Sequence, residues 1–156
     1  MKDKTLNEYI SELKSFINSN NYLSCIDLLL QAIKHYPHED KLKLNLGNIY
    51  KMLDRTNDAI DTYTSLLETP LSYMANNNLS LIMLELGELD KCIKYAQESL
   101  KDNNNYNDAK YNLAVGLFER KEYLKSLDIC LELIDDDNYK NKAFELKVRI
   151  EQITCY

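Results

Sequence analysis

Apolar residues recur along this chain with the period of an amphipathic helix. Within residues 40–53 the pattern is carried by Leu46, Ile49, Tyr50 and Leu53, which are spaced i, i+3, i+4 and i+7. This spacing places the four side chains on one face of a helix. Similar patterns predict helices at residues 5–18, 22–35, 40–53, 57–68, 73–86, 89–101, 107–120, 123–135 and 140–154.

Short polar turns join these predicted helices in pairs. The first helix of each pair is expected to end beside a residue in the left-handed backbone conformation, which glycine and asparagine adopt readily. Asn20, Asp54 and Gly87 suit that position in three pairs. Lys121 occupies it in the fourth pair, where its Cβ atom makes the conformation less favourable.

The helical pairs repeat at intervals of 33 or 34 residues. A small residue marks the start of each second helix, and this column consists of Cys25, Ala59, Cys92 and Ser126. Small residues also recur in the first helices, at Gly47, Ser80 and Ala114. Self-similarity at a fixed period indicates repeats that bury their apolar faces against their neighbours. We therefore predict an all-α fold of helix-turn-helix repeats stacked as an α-α superhelical solenoid.

The length of 156 residues suits one domain with a continuous core. Only three Gly and two Pro occur, which disfavours a sheet-rich fold because such a fold needs many tight turns. We predict a single domain over residues 1–156, with repeats at about residues 6–39, 40–72, 73–106 and 107–140 and a capping helix at residues 141–154.

The charge balance excludes some classes of partner. A net charge of −6 and a pI near 5.0 argue against binding to nucleic acid, which needs a basic surface to displace counterions. No run of 18 apolar residues occurs, so no membrane insertion is expected. The N-terminus is charged and lacks the apolar segment of a secretory signal, which predicts a cytoplasmic location.

The histidine, cysteine and acidic residues are not spaced as a catalytic or metal-binding site requires. His35 and His38 flank Pro37 without a ligand-spaced Cys or acidic residue, which disfavours a zinc site. Cys25 and Cys92 belong to the small-residue column, where free cysteine packs as a small hydrophobe. No phosphate-binding loop, dinucleotide fingerprint or metalloprotease motif occurs. We predict no metal, no cofactor and no enzymatic activity.

The second repeat carries a recognisable set of residues, which are Leu46, Gly47, Tyr50, Ala59, Tyr63 and Pro70. These positions resemble the tetratricopeptide repeat (TPR), a 34-residue helix-turn-helix unit. The resemblance covers about residues 6–140 and implies a non-catalytic protein–protein interaction module or adaptor. It implies that a peptide or protein segment binds in a concave groove lined by the first helices.

Two alternatives to the adaptor remain open. A dedicated chaperone or assembly factor would hold a secreted or assembled client, and a scaffold would associate with itself. The last predicted helix has a second apolar surface at Phe144 and Val148, beside the stripe that contains Leu146. A capping helix should keep a polar outer face, so this surface indicates a homodimer through the C-terminal helix or burial against another partner, unless it is tolerated exposure.

The groove residues follow from repeat position, as the first-helix side chains opposite the core stripe. The predicted peptide-binding residues are Lys14, Leu44, Asn45, Asn48, Lys51, Asn77, Asn78, Leu81, Tyr111, Asn112, Val115 and Phe118. Tyr111 and Phe118 would supply aromatic anchors on the groove wall.

Asparagine recurs in phase at three of these positions, Asn45, Asn78 and Asn112. A carboxamide both donates and accepts hydrogen bonds, so such a ladder can pair with the backbone of an extended peptide. The ladder is similar to those of some superhelical TPR grooves. The alternative is that asparagine is simply common in this chain.

One subfamily is excluded. The TPRs that clamp a terminal carboxylate use lysine, asparagine and arginine from three successive first helices. Starting at the second repeat, the matching positions hold Leu44, Asn48, Asn78, Asp108 and Asn112. Asn48 and Asn78 match the asparagines of that subfamily. Leu44, Asp108 and Asn112 stand where it has lysine or arginine. A carboxylate needs charge-assisted donors, so a carboxylate clamp is not expected.

Overall fold

The computed structural model describes residues 4–154, and the part of the chain that it describes contains nine helices and no strand. The nine predicted helices are confirmed. Their bounds are α1 Leu6–Asn18, α2 Tyr22–His35, α3 Asp40–Met52, α4 Thr56–Thr64, α5 Ser72–Glu85, α6 Leu89–Asp102, α7 Asn107–Glu119, α8 Tyr123–Leu133 and α9 Lys140–Thr154.

The first helices end as predicted, in left-handed residues. The φ angles are 55° at Asn20, 56° at Asp54, 73° at Gly87 and 65° at Lys121. After α7, the amide of Glu122 donates to the Leu117 carbonyl at 2.8 Å, and Lys121 donates to Phe118 at 2.9 Å. These two bonds satisfy carbonyl groups that the helix end would otherwise leave without donors. Each pair therefore turns back on itself with the same local geometry.

Helix α4 ends four residues earlier than predicted. The prediction extended to residue 68, whereas α4 ends at Thr64 and the chain continues in tight turns. Leu66 donates to the Tyr63 carbonyl at 2.9 Å, a bond of i to i+3 spacing. The Ser65 hydroxyl donates to the Thr62 carbonyl at 2.6 Å and competes with the helical ladder. These turns leave Leu66 fully buried.

The helices form two compact units, one ending at Leu71 and the other beginning at Ser72. In the first unit, α1 to α4 pack in chain order, each against the next. Gly47 of α3 lies against Tyr63 of α4, and an ideal Cβ on Gly47 would be 2.5 Å from ring atom Cε1. Only glycine leaves room for this fully buried ring.

In the second unit, α7 packs against α5, α6, α8 and α9. Its core joins Ala114 and Phe118 of α7 to Cys130 and Leu133 of α8 and to Leu146 of α9. Each unit thus has its own core, and the single domain over residues 1–156 stays a prediction.

Two columns of residues, in the second helices or, for Leu66, in the turns directly after α4, are buried almost completely. The first is the predicted small-residue column, Cys25, Ala59, Cys92 and Ser126, and all four residues are 0% exposed. The second, at most 1% exposed, consists of Ala32, Leu66, Ser99 and Leu133. Ser99 donates its hydroxyl hydrogen to the Tyr73 carbonyl at 2.7 Å, so its burial leaves no unpaired donor.

Lys121 is an unfavourable residue for its turn, and this leads to a prediction about stability. Lys121→Gly removes the Cβ penalty at φ 65° and should raise the free energy of unfolding by about 0.5–1 kcal/mol. Urea denaturation followed by circular dichroism measures the change. Lys121→Ala is the matched control, since alanine keeps the Cβ atom. An equal gain in both variants would contradict the explanation.

Candidate functional site

Helix α7 has one buried side and one exposed stripe. Its buried side includes Leu113 and Leu117, whereas Asp108, Tyr111, Val115 and Glu119 remain exposed or half-buried. The last four residues are spaced i, i+3, i+7 and i+11, which is one face of a helix.

The neighbouring first helices carry equivalent stripes. Because α5 and α9 both pack against α7, these stripes lie side by side in the second unit. We call this surface the first-helix face. It comprises Met74, Asn78, Leu81 and Glu85 of α5, the four residues of α7, and Lys142, Glu145 and Arg149 of α9.

Aromatic rings and a lysine connect α7 to α9 on this face. The Lys142 ammonium lies 5.6 Å from the ring centroid of Tyr111 and 5.4 Å from that of Tyr139. Tyr139 donates its phenolic hydrogen to Asp108. Burial, followed by this hydrogen bond, raises the pKa of Tyr139 above its usual value, and burial also raises the pKa of Tyr111. Both phenols therefore stay neutral at physiological pH.

Two of the predicted groove asparagines form a buried contact between α5 and α7. The Asn112 side-chain nitrogen donates to Asn77 Oδ1 at 2.9 Å and to Ser80 Oγ at 3.1 Å. Asn77 is 6% exposed and Asn112 is 8% exposed. Their amide groups hold two first helices together, and contact with a ligand stays a prediction. Asn78, the α5 member of the predicted ladder, is half-buried.

Phe118 belongs to the core of the second unit. It is 7% exposed and packs against Tyr123, with ring centroids 5.7 Å apart. The Arg149 guanidinium carbon lies 4.5 Å from the Phe118 ring centroid, a cation–π contact that fixes the position of the charge. Of the two predicted aromatic anchors, Tyr111 is therefore the accessible one.

A depression of about 380 Å³ opens at the carboxyl ends of α5 and α7. Leu84, Leu89 and Val115 supply apolar walls, Gly87 lines it at the turn, and Glu119 is its charged residue. No atom lies within 4 Å of the position that a Cβ on Gly87 would take. The absence of a side chain there helps to keep the depression open.

The first unit contains the remaining predicted groove residues, which are Lys14, Leu44, Asn45, Asn48 and Lys51. Lys14 and Asn48 are exposed, and the other three are half-buried. The Tyr63 hydroxyl donates to Asn48 Oδ1 at 2.7 Å, so this carboxamide is anchored to the second helix of its own repeat. Binding of a peptide by these residues stays a prediction.

In the described part of the chain, the side chains are not arranged for catalysis by a thiol or for metal binding. No group of three or more His, Cys, Asp or Glu residues there could hold a metal ion. Burial raises the pKa of the Cys92 thiol to about 11, and it also raises that of Cys25 and Cys130. A thiol that remains protonated at neutral pH is a poor nucleophile, so these cysteines are packing residues.

Sequence reasoning missed the contribution of α9 to the first-helix face. Lys142 and Arg149 follow Asp108 and Val115 at an interval of 34 residues, so the repeat period contained the signal. Treating α9 as a cap concealed it. The leucines of the depression, Leu84 and Leu89, were missed because they flank a turn and face a neighbouring repeat.

The outer surface of α9 retains the apolar residues noted in the sequence. Phe144 is 53% exposed, and Val148 is half-buried. A homodimer through this helix stays a prediction. Among the described helices, none combines the length and apolar character that crossing a membrane requires.

Several solved structures share this architecture. MamA 41-end from Desulfovibrio magneticus RS-1 matches with a TM-score of 0.81 at 12% identity, over 94% of this chain and 84% of that chain. A tetratricopeptide repeat protein from Parabacteroides merdae ATCC 43184 gives 0.79 at 19% identity, over 94% and 59%. The first TPR of Spaghetti (RPAP3), bound to HSP90 peptide SRMEEVD, gives 0.71 at 15%, over 76% and 97%.

No family model and no curated protein sequence matches the chain. The structural likeness defines its class: this chain has the TPR fold, an all-α fold of helical repeats.

The buried contact between α5 and α7 gives a prediction about stability. Asn112→Ala removes the donor shared by Asn77 and Ser80 and should lower the free energy of unfolding by about 1–3 kcal/mol. Urea denaturation measures the loss. Asn104→Ala, in an exposed turn, is the control and should change stability by less than about 0.5 kcal/mol. Equal, small effects of both substitutions would contradict a structural role for Asn112.

Proposed function

We propose that this chain is a non-catalytic protein-interaction module that binds a peptide or protein segment on the first-helix face of the second unit. The observation that carries the proposal is the composition of that face. Leu81, Tyr111 and Val115 leave partly exposed apolar and aromatic surface between polar residues. Interfaces combine such apolar anchors with a polar rim.

The surface is also held rigid without a ligand. The Asn77–Asn112 hydrogen bond fixes α5 to α7, and Lys142 spans the rings of Tyr111 and Tyr139 between α7 and α9. Binding to a preformed surface avoids much of the entropy lost when side chains are ordered. The fold supports the same function, since the first TPR of Spaghetti is bound to an HSP90 peptide.

The finer parts of this function are also proposals. We propose an adaptor that acts in the cytoplasm, with a chaperone or assembly factor for a secreted or assembled client as the alternative. Self-association through α9 would use Phe144 and Val148, with the Lys147–Glu151 ion pair of 2.6 Å beside them. The remaining predicted groove residues lie in the first unit, and we propose that they also bind a peptide or protein segment.

The test removes the apolar anchors while keeping the fold. Peptides are selected from a random phage-displayed library against the wild-type protein, and their affinities are compared with those for the double variant Leu81→Gln, Val115→Gln. We expect affinity to fall at least about tenfold, since two half-buried apolar contacts are lost. Fluorescence anisotropy with synthetic peptides measures the change.

A matched pair of substitutions on α2 controls for the general loss of surface leucine. Leu23 and Leu30 are 69% and 49% exposed in the first unit, and both become glutamine in the control. The control should bind the selected peptides with wild-type affinity. Equal affinity of both double variants, each with a native circular dichroism spectrum, would remove the first-helix face from the proposed function.

A further inference from the structure

The depression beside Val115 has apolar walls and one uncompensated charge. Leu84, Leu89 and Val115 are half-buried, whereas Glu119 is exposed at the carboxyl end of α7. Its volume of about 380 Å³ lies at the lower end of the range for ligand pockets, a size that suits one long side chain.

Glu119 has no cation of its own. Among the described residues, no ion pair or hydrogen bond engages its carboxylate. The neighbouring Arg120 is directed elsewhere, because its guanidinium donates to Asp90 at 2.6 Å and also pairs with Glu122. The negative charge at the depression is therefore available to a partner.

The position of Glu119 is also unfavourable for the helix itself. The carboxyl end of a helix carries a partial negative charge and favours lysine or arginine in its last turn. Helices α5 and α7 both end in glutamate, at Glu85 and Glu119, and neither has a basic residue in its last turn. Local stability therefore gives no reason for a carboxylate here. Such a local conflict is characteristic of a functional site.

We propose that the depression receives a lysine or arginine side chain from an extended partner segment. The aliphatic stem would pack against Leu84, Leu89 and Val115, and the cationic head would pair with Glu119 at the helix end. This inference rests on the proposed peptide binding and adds the charge of the bound residue. It also agrees with the net charge of −6 on the chain.

The test uses three random nonapeptide libraries that differ only in a fixed central residue, which is arginine, norleucine or glutamate. Each fluorescein-labelled library is titrated against the wild-type protein and against Glu119→Gln. The wild-type protein should bind the arginine library most tightly. Glu119→Gln should weaken that binding about fivefold, the upper range for an exposed ion pair, and leave the norleucine library unchanged.

Asp128→Asn is the matched control, since it removes one exposed carboxylate from α8, away from the depression. It should preserve the preference for arginine. The urea midpoint of Glu119→Gln should equal or exceed the wild-type midpoint, because the substitution removes a negative charge from a helix carboxyl end. Weaker binding can then be assigned to the lost contact rather than to unfolding.

The possible failures are distinguishable. Equal or tighter binding of the glutamate library, or the same loss in Asp128→Asn and Glu119→Gln, would overturn the inference while leaving peptide binding intact. Failure of all three libraries to bind the wild-type protein would overturn both the inference and the proposed function.

Discussion

Close approach between neighbouring helices is the constraint on which the rest of this structure depends. It is tightest where Gly47 of α3 meets the fully buried ring of Tyr63, with no room for a Cβ atom. Gly116 is similarly confined, since an ideal Cβ there would lie 3.1 Å from Cys92 Sγ. Small residues at such contacts let neighbouring helices within each unit pack closely and bury their apolar sides against one another.

This packing leaves the exposed sides of the first helices free for other roles. In the second unit, α7 uses one side for the core and the Asn112 amide for α5. Tyr111 and Val115 are only partly buried at the edge of that core, and Glu119 is exposed. The same rigidity that stabilises the unit fixes the spacing of these groups. The residues that stabilise the fold and the residues that we propose for binding therefore occupy different positions on one helix. Such an arrangement would allow binding residues to differ while the fold persists.

The periodic features of the fold could be predicted from the sequence, whereas the contacts between repeats could not. Asn20, Asp54, Gly87 and Lys121 were predicted as left-handed turn residues because their place in the period is local information. The burial of Asn112 could not be predicted in that way, since it depends on Asn77 in a neighbouring repeat. The early end of α4 arises from side-chain bonds such as Ser65 to Thr62, which apolar periodicity does not encode.

The most direct test of close packing is the urea denaturation of Gly47→Ala. Alanine normally stabilises a helix interior by about 1 kcal/mol relative to glycine. Here the added methyl group would meet the Tyr63 ring, so we predict the opposite sign, a loss of about 1–3 kcal/mol in the free energy of unfolding. Unchanged or increased stability of Gly47→Ala would contradict the account.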